Sequence, residues 1–275
     1  MKLALTGATG HVGGAVAHLL ADRRPRLIVR DPSRAPDIPG SAVVVASYRD
    51  AQALRDALVG IDTLLLVSAA EASDRREQHR TAIQAAADAG VKHIVYTSFC
   101  GASADAAFTL GRDHADAEKA ITETSLVHTF LRNNFYAEVL PSFADEARVI
   151  RGPAAQGRVA AVARQDVAEV AAAIMRDPQG HEGQTYDLSG PEALSMTEVA
   201  DRLAALRGHE VRYEEETVEQ AYASRRAAYP EAADFLLDAW VSTYTAIASG
   251  AMAEVTGDVR AITGNPARTL EQALG

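Results

Sequence analysis

Two hydrophobic rhythms alternate along the first half of the chain. Leu3-Ala4-Leu5 is an apolar run of strand length, Thr6 to Gly10 reads as a turn, and Val12, Val16, Leu19 and Leu20 then recur at helical spacing. The pattern repeats. Residues 26–29 and 42–46 predict a second and a third strand, and residues 51–58 predict a helix that Asp50 can cap. Residues 63–67 are almost wholly apolar, as expected of a strand covered on both faces of a parallel sheet. Ser73 or Asp74 opens a long helix to about Ala89, which Gly90 closes. Residues 93–96 predict a fifth strand running into Thr97-Ser98-Phe99-Cys100. A helix through residues 112–120 follows, on which His114, Glu118 and Ile121 share a face. Residues 126–131 predict a sixth strand, ending in Arg132-Asn133-Asn134-Phe135-Tyr136. Regular alternation of strand and helix predicts an α/β fold with a doubly wound parallel sheet.

The second half alternates less regularly. It predicts a helix over 135–147, a strand over 159–162, a helix over 166–175 with Asp166 as N-cap, and a strand over 185–188. Ser195-Met196-Thr197-Glu198 is a capping box opening a helix to about Leu206. A strand over 211–213, helices over 218–228 and 231–249, and a last turn over 269–274 complete the reading. The expected organisation is a Rossmann NAD(P)-binding domain over 1–134 and a smaller, mainly helical substrate lobe over 135–275, with some segments returning to the Rossmann core.

The first turn carries glycines spaced G-x-x-G-x-x-G, at Gly7, Gly10 and Gly13. Between a strand and a helix this pattern means dinucleotide binding: a tight turn, a backbone that comes close to a pyrophosphate, and a helix that packs closely. Free N–H groups and the positive end of the helix dipole then face the phosphates. Arg30 stands at the end of the second strand, 17 residues past Gly13, with Arg34 following. An arginine there accommodates the 2′-phosphate of NADP, whereas an acid would bond the ribose of NAD. NADP(H) is therefore the expected cofactor, with NAD(H) as the alternative that neighbouring Asp31 would favour. Tyr48, after the third strand, is placed to lie against an adenine ring. Ligands in such sheets sit outside the carboxyl ends of the strands, so Ser68 and Ser98 are site candidates by position.

Composition narrows the partners. The 275 residues are 48% hydrophobic, with a net charge of −10 whose acidic excess lies in the second half. Such a chain is a poor fit to nucleic acid, because phosphate contacts need a basic face. The single cysteine, Cys100, excludes an intramolecular disulfide and reads as a packing residue. No apolar run reaches membrane-spanning length, and the N-terminus enters a strand directly, which suits a cytoplasmic enzyme. No metal-ligand pattern stands out. Nothing separates a monomer from a homodimer.

With these motifs in view, the chain resembles the NmrA-like branch of the atypical short-chain dehydrogenases/reductases, in particular bacterial NAD(P)H:quinone oxidoreductases and triphenylmethane reductases. The matching pieces are Leu5-Thr6-Gly7-Ala8-Thr9-Gly10, Ile28-Val29-Arg30-Asp31-Pro32, residues 90–98, His114 to Lys119, Leu131-Arg132-Asn133-Asn134 and residues 263–270. The resemblance implies NADPH held at its pyrophosphate by Gly7, Thr9, Gly10, His11 and Val12, at its 2′-phosphate by Arg30, and near adenine by Tyr48. It implies a nicotinamide near Ser68, Ser98 and Phe99. The substrate would lie between Phe99, His114, Asn134, Tyr136 and the C-terminal lobe.

One departure stands out. Typical short-chain dehydrogenases carry Tyr-x-x-x-Lys on this helix; here His114 replaces the tyrosine and the lysine falls one place late, at Lys119. Hydride transfer from NADPH to a quinone or similar conjugated acceptor suits that loss, with His114 as the expected proton donor at neutral pH and Asn134 and Tyr136 beside it. The alternative implied by the family is an NADP-binding redox sensor without catalysis. A reductase of a secondary-metabolite intermediate is a third.

Overall fold

The computed structural model describes all 275 residues. In chain order the elements are β1 (Leu3–Thr6), α1 (His11–Leu19), β2 (Arg26–Val29), β3 (Val43–Val45), α2 (Ala51–Leu58), β4 (Thr63–Leu66), α3 (Arg75–Asp88), β5 (His93–Phe99), α4 (Thr109–Thr122) and β6 (Val127–Asn133). The second half adds β7 (Val149–Gly152), β8 (Arg158–Val159), α5 (Arg164–Arg176), β9 (Thr185–Leu188), β10 (Leu194–Ser195), α6 (Met196–Arg207) and β11 (Arg212–Glu215). It ends in α7 (Val218–Ala228), α8 (Asp234–Ala248), α9 (Asp258–Thr263) and α10 (Leu270–Leu274). No helix is long and apolar enough to cross a membrane.

Seven parallel strands form the central sheet in the order β3-β2-β1-β4-β5-β6-β9. The order reverses between β1 and β4, and the crevice at such a reversal is where these sheets hold ligands. Alternation along each strand serves two cores. Leu3, Leu5, Leu65 and Val95 face α1 and α5, while Ala4, Leu64, Leu66 and Tyr96 face α2, α3 and α4. Both faces are covered, so the strands read as unbroken apolar runs. Each leucine so buried contributes about 2 kcal/mol.

The second half splits its allegiance. Helix α5 packs on α1, β9 adds the seventh strand beside β6, and α9 lies against both α5 and β9. The remaining elements build a third core around Phe99, Leu203, Met196 and Tyr244. There β7 pairs with β11, and β8 with β10. The expected capping box is present: Ser195 Oγ accepts from the Glu198 N–H at 3.2 Å, and the Glu198 carboxylate accepts from the Ser195 N–H at 2.8 Å.

Two local expectations are corrected. The helix expected over 135–147 is a 3₁₀ segment, Ala137–Phe143, because Pro141 inside it lacks an amide N–H. Asp166 does not cap its helix. It lies fully buried in the first turn of α5, accepting the Arg268 N–H at 2.8 Å and pairing with the Arg268 guanidinium. That pair ties the C-terminal segment to α5. Asp166→Ala leaves the Arg268 N–H without its acceptor and the guanidinium held by Glu169 alone, so urea unfolding should show a loss of about 2 kcal/mol. A loss under about 1 kcal/mol would mean that the pair does not hold the joint.

Candidate functional site

The turn after β1 is the first part of the site. Gly7 adopts φ +64°, a conformation that favours glycine, and its carbonyl accepts the Gly10 N–H at 2.9 Å. A Cβ at Gly7 would stand 2.8 Å from the Val67 side chain, and one at Gly13 only 2.3 Å from the Gly7 carbonyl oxygen. The helix therefore starts hard against the turn. Gly10 is its N-cap and supplies no side-chain bond, so the amides of the first turn are left for a ligand. Gly10 and His11 are exposed, Thr9 is half-buried, and Val12 points into the core. A backbone cradle that side chains would fill, with uncapped amides at its rim, fits a pyrophosphate.

Tyr48 braces this cradle from one side. Its hydroxyl lies 2.5 Å from both Thr6 Oγ1 and the Val67 carbonyl, and Thr6 Oγ1 also accepts the Val67 N–H at 2.9 Å. The hydroxyl is thus committed between the ends of β1 and β4, leaving the half-buried ring to face a ligand. Burial holds its phenol far above the usual tyrosine range.

The alternative raised by Asp31 has a structural answer. Its carboxylate accepts the Ser33 N–H at 3.0 Å and the Ser33 hydroxyl at 2.6 Å, capping the turn Pro32–Arg34. Arg30 and Arg34 are exposed beside it. Neither forms the carboxylate pairs that engage Arg49, Arg76 and Arg80.

Beyond the cradle, a cleft of about 980 Å³ opens over the ends of β4, β5 and β6. Ser68, Ser98, Phe99, Asn133, Asn134 and Tyr136 line its floor, and Tyr229, Trp240 and Tyr244 come from the helical lobe. Phe99, Phe108 and Phe135 pack edge to face or tilted, with centroids 4.8–5.1 Å apart. Across the cleft, Tyr229 and Trp240 meet at 5.1 Å. These aromatic walls suit a flat, conjugated ligand.

The polar side chains differ in what they leave free. His114 is buried, with Nε2 at 2.9 Å from the Arg75 guanidinium and Nδ1 at 2.9 Å from the Tyr96 hydroxyl. Arginine only donates, so Nε2 accepts and the proton sits on Nδ1, donated to Tyr96. Burial first, and then the Arg75 charge, hold its pKa well below the usual histidine value. This corrects the expectation of a proton donor at neutral pH: His114 stays neutral, with both nitrogens turned to protein. Asn134 is corrected likewise. Its Nδ2 donates to the Met252 carbonyl at 3.0 Å and its Oδ1 accepts the Phe135 N–H at 2.8 Å, so the amide fastens the floor to the segment after α8.

Ser98 donates to Glu118 at 2.5 Å, and Glu118 is held by two bonds from Arg132 at 2.9 and 2.7 Å. Lys119 points to solvent and pairs with Glu123, far from the role its family counterpart plays. Tyr136 is different. Its oxygen accepts from Asn133 Nδ2 at 3.2 Å, which leaves its own O–H free to donate into the cleft. Burial pushes this phenol up to about 12.

Sequence reasoning missed Asn133, Arg75 and Trp240. Arg75 meets His114 across 39 positions and Trp240 comes from a helix more than 100 residues downstream, so neither carries a local signal. Asn133 sits beside Asn134 in the same motif and was open to choice.

Known proteins share this arrangement. The family model described as NAD(P)H-binding matches residues 7–178. Quinone oxidoreductase 2 of Escherichia coli (strain K12) is 34% identical over 99% of this chain and 97% of its own. A crystal structure of an NADPH-dependent quinone oxidoreductase from Escherichia coli, complexed with NADPH, matches with a TM-score of 0.90 at 32% identity, covering 99% of this chain and 98% of that one. The triphenylmethane reductase of Citrobacter sp., complexed with NADP(H), matches with a TM-score of 0.87 at 28% identity, covering 99% of each chain. Because these matches run through cradle and cleft alike, the chain belongs to the NAD(P)H-binding family, in the branch of quinone and triphenylmethane reductases that its motifs resemble.

Proposed function

We propose that this protein is an NADPH-dependent oxidoreductase that reduces a quinone or a similar flat, conjugated acceptor. The observation that carries the reading is the placing of the glycine cradle against Val67 at the end of β4, whose next residue, Ser68, lines the aromatic-walled cleft. The relatives named quinone oxidoreductase support it, matching over nearly the whole chain. Bound NADPH supplies a hydride from its nicotinamide ring.

In this reading Gly7, Thr9, Gly10, His11 and Val12 cradle the pyrophosphate, the exposed Arg30 meets the 2′-phosphate, and the ring of Tyr48 borders the adenine. Ser68, Ser98 and Phe99 form the floor beneath the nicotinamide. The Tyr136 O–H donates a hydrogen bond to the acceptor oxygen as negative charge grows there. Its raised pKa keeps the phenol protonated at neutral pH, and water in the open cleft replaces the proton that the product takes. His114 forms a neutral aromatic wall, tilted 25° to Phe99 at 6.0 Å.

Consumption of NADPH and NADH with a simple benzoquinone tests this directly. Wild type should prefer NADPH, and Arg30→Ala should lower kcat/KM for NADPH by about tenfold to a hundredfold while leaving NADH nearly unchanged. Binding of NADPH without consumption across a panel of quinones would point to a sensor instead.

Tyr136→Phe removes the donor and keeps the ring, so kcat should fall by about tenfold to a hundredfold with the fold intact.

The pH profile separates Tyr136 from His114. Neither group changes charge between about pH 6 and about pH 9, since one pKa is pushed down and the other up, so kcat should be flat there. A fall of kcat above about pH 6.5 would return the proton-donor role to a histidine.

A further inference from the structure

Asn133 carries an unmet bond at the inner end of the cleft. It is the last residue of β6, in register with Phe99 of β5 and Leu188 of β9, and only 3% exposed. Its Nδ2 donates to Tyr136. Its Oδ1 is buried and has no hydrogen-bond partner. A buried carbonyl oxygen without a donor is unfavourable, and native proteins rarely tolerate one unless a water or a ligand supplies the missing group.

The missing partner must bring an N–H or O–H. A quinone cannot, because its oxygens only accept, and the Tyr136 O–H next door already offers them a donor. The neighbouring polar side chains cannot serve either: Ser98 turns to Glu118, His114 to Arg75 and Tyr96, and Asn134 to Met252. What remains on the proposed function is the carboxamide of the nicotinamide, whose NH₂ is a donor.

We propose that Asn133 Oδ1 accepts the carboxamide N–H of the nicotinamide and so fixes the rotation of that ring against the floor of the cleft. Asn133 and Tyr136 then divide the site. Asn133 holds the cofactor end through Oδ1 and steers Tyr136 through Nδ2, while Tyr136 addresses the acceptor. Asn133 is a positioning residue for Tyr136 and a direct contact of the cofactor.

The inference rests on NADP(H) being the cofactor, and the test keeps the two apart. Titration calorimetry of the full chain compares NADP⁺ with its 3-acetylpyridine analogue, which keeps the carbonyl but replaces NH₂ by methyl. Wild type should bind the analogue about tenfold more weakly. Asn133→Leu should bring the two affinities together, whereas Asn133→Asp, which keeps an acceptor, should preserve the preference. If Asn133→Leu fails to fold, Asn133→Ala replaces it, with the same loss of preference expected. Equal binding of both dinucleotides by wild type overturns the inference alone, as does a preference that survives removal of the amide. Failure of wild type to bind either dinucleotide overturns the cofactor reading and this inference with it.

Discussion

The close approach of Gly7 to Val67 is the constraint on which the site depends. A left-handed residue at the end of β1 turns the chain so tightly that a single added carbon would strike β4. Helix α1 begins directly on the Gly7 carbonyl, and Gly13 has no room for a side chain. The amides of the first helical turn therefore point over the ends of β1 and β4, at the reversal of strand order. Tyr48 braces the same two strand ends through Thr6 and Val67, so the cradle is held by the protein's own bonds. The placing of this turn sets where a dinucleotide enters, and hence which residues of β5 and β6 lie at its far end.

Beyond the cradle, chemistry is decided by which polar groups are already spent. Buried polar groups seek partners, and most of those in the cleft have found them within the protein. Arg75 and Tyr96 take both nitrogens of His114, Met252 takes the amide of Asn134, and Glu118 takes the hydroxyl of Ser98. These bonds pin α3, α4, β5, β6 and the segment after α8 to one another around the pocket. At the end of β6 two neighbours keep something to offer, Asn133 and Tyr136. Reduction of an electron-poor ring needs little more from the protein than alignment of cofactor and acceptor and one well-aimed donor.

Local order was legible where local rules act. The strand Arg26–Val29, the helix Val218–Ala228 and the capping box at Ser195 lie where periodicity and cap chemistry put them. The glycine turn was legible because the geometry it requires excludes other residues. Distant partners were not. Asp166 has the look of an N-cap until Arg268, 102 positions away, claims its carboxylate. His114 has the look of an acid until Arg75 faces its ring. Strand β7 escaped notice because only Val149 and Ile150 of it are apolar and its register partner in β11 lies 63 positions away. The charge state of a buried side chain is a property of its neighbours, and a linear pattern names only some of them.

The central claim is that hydride passes directly from the cofactor to an acceptor lying in the aromatic cleft. Single-turnover reduction of a quinone by NADPH deuterated at the transferring C4 position tests it most directly. The account predicts that cofactor oxidation slows when one face is deuterated and not when the other is, because a single fixed ring orientation presents one face to the acceptor. Oxidation that is insensitive to deuterium on either face, or equally sensitive to both, would contradict it.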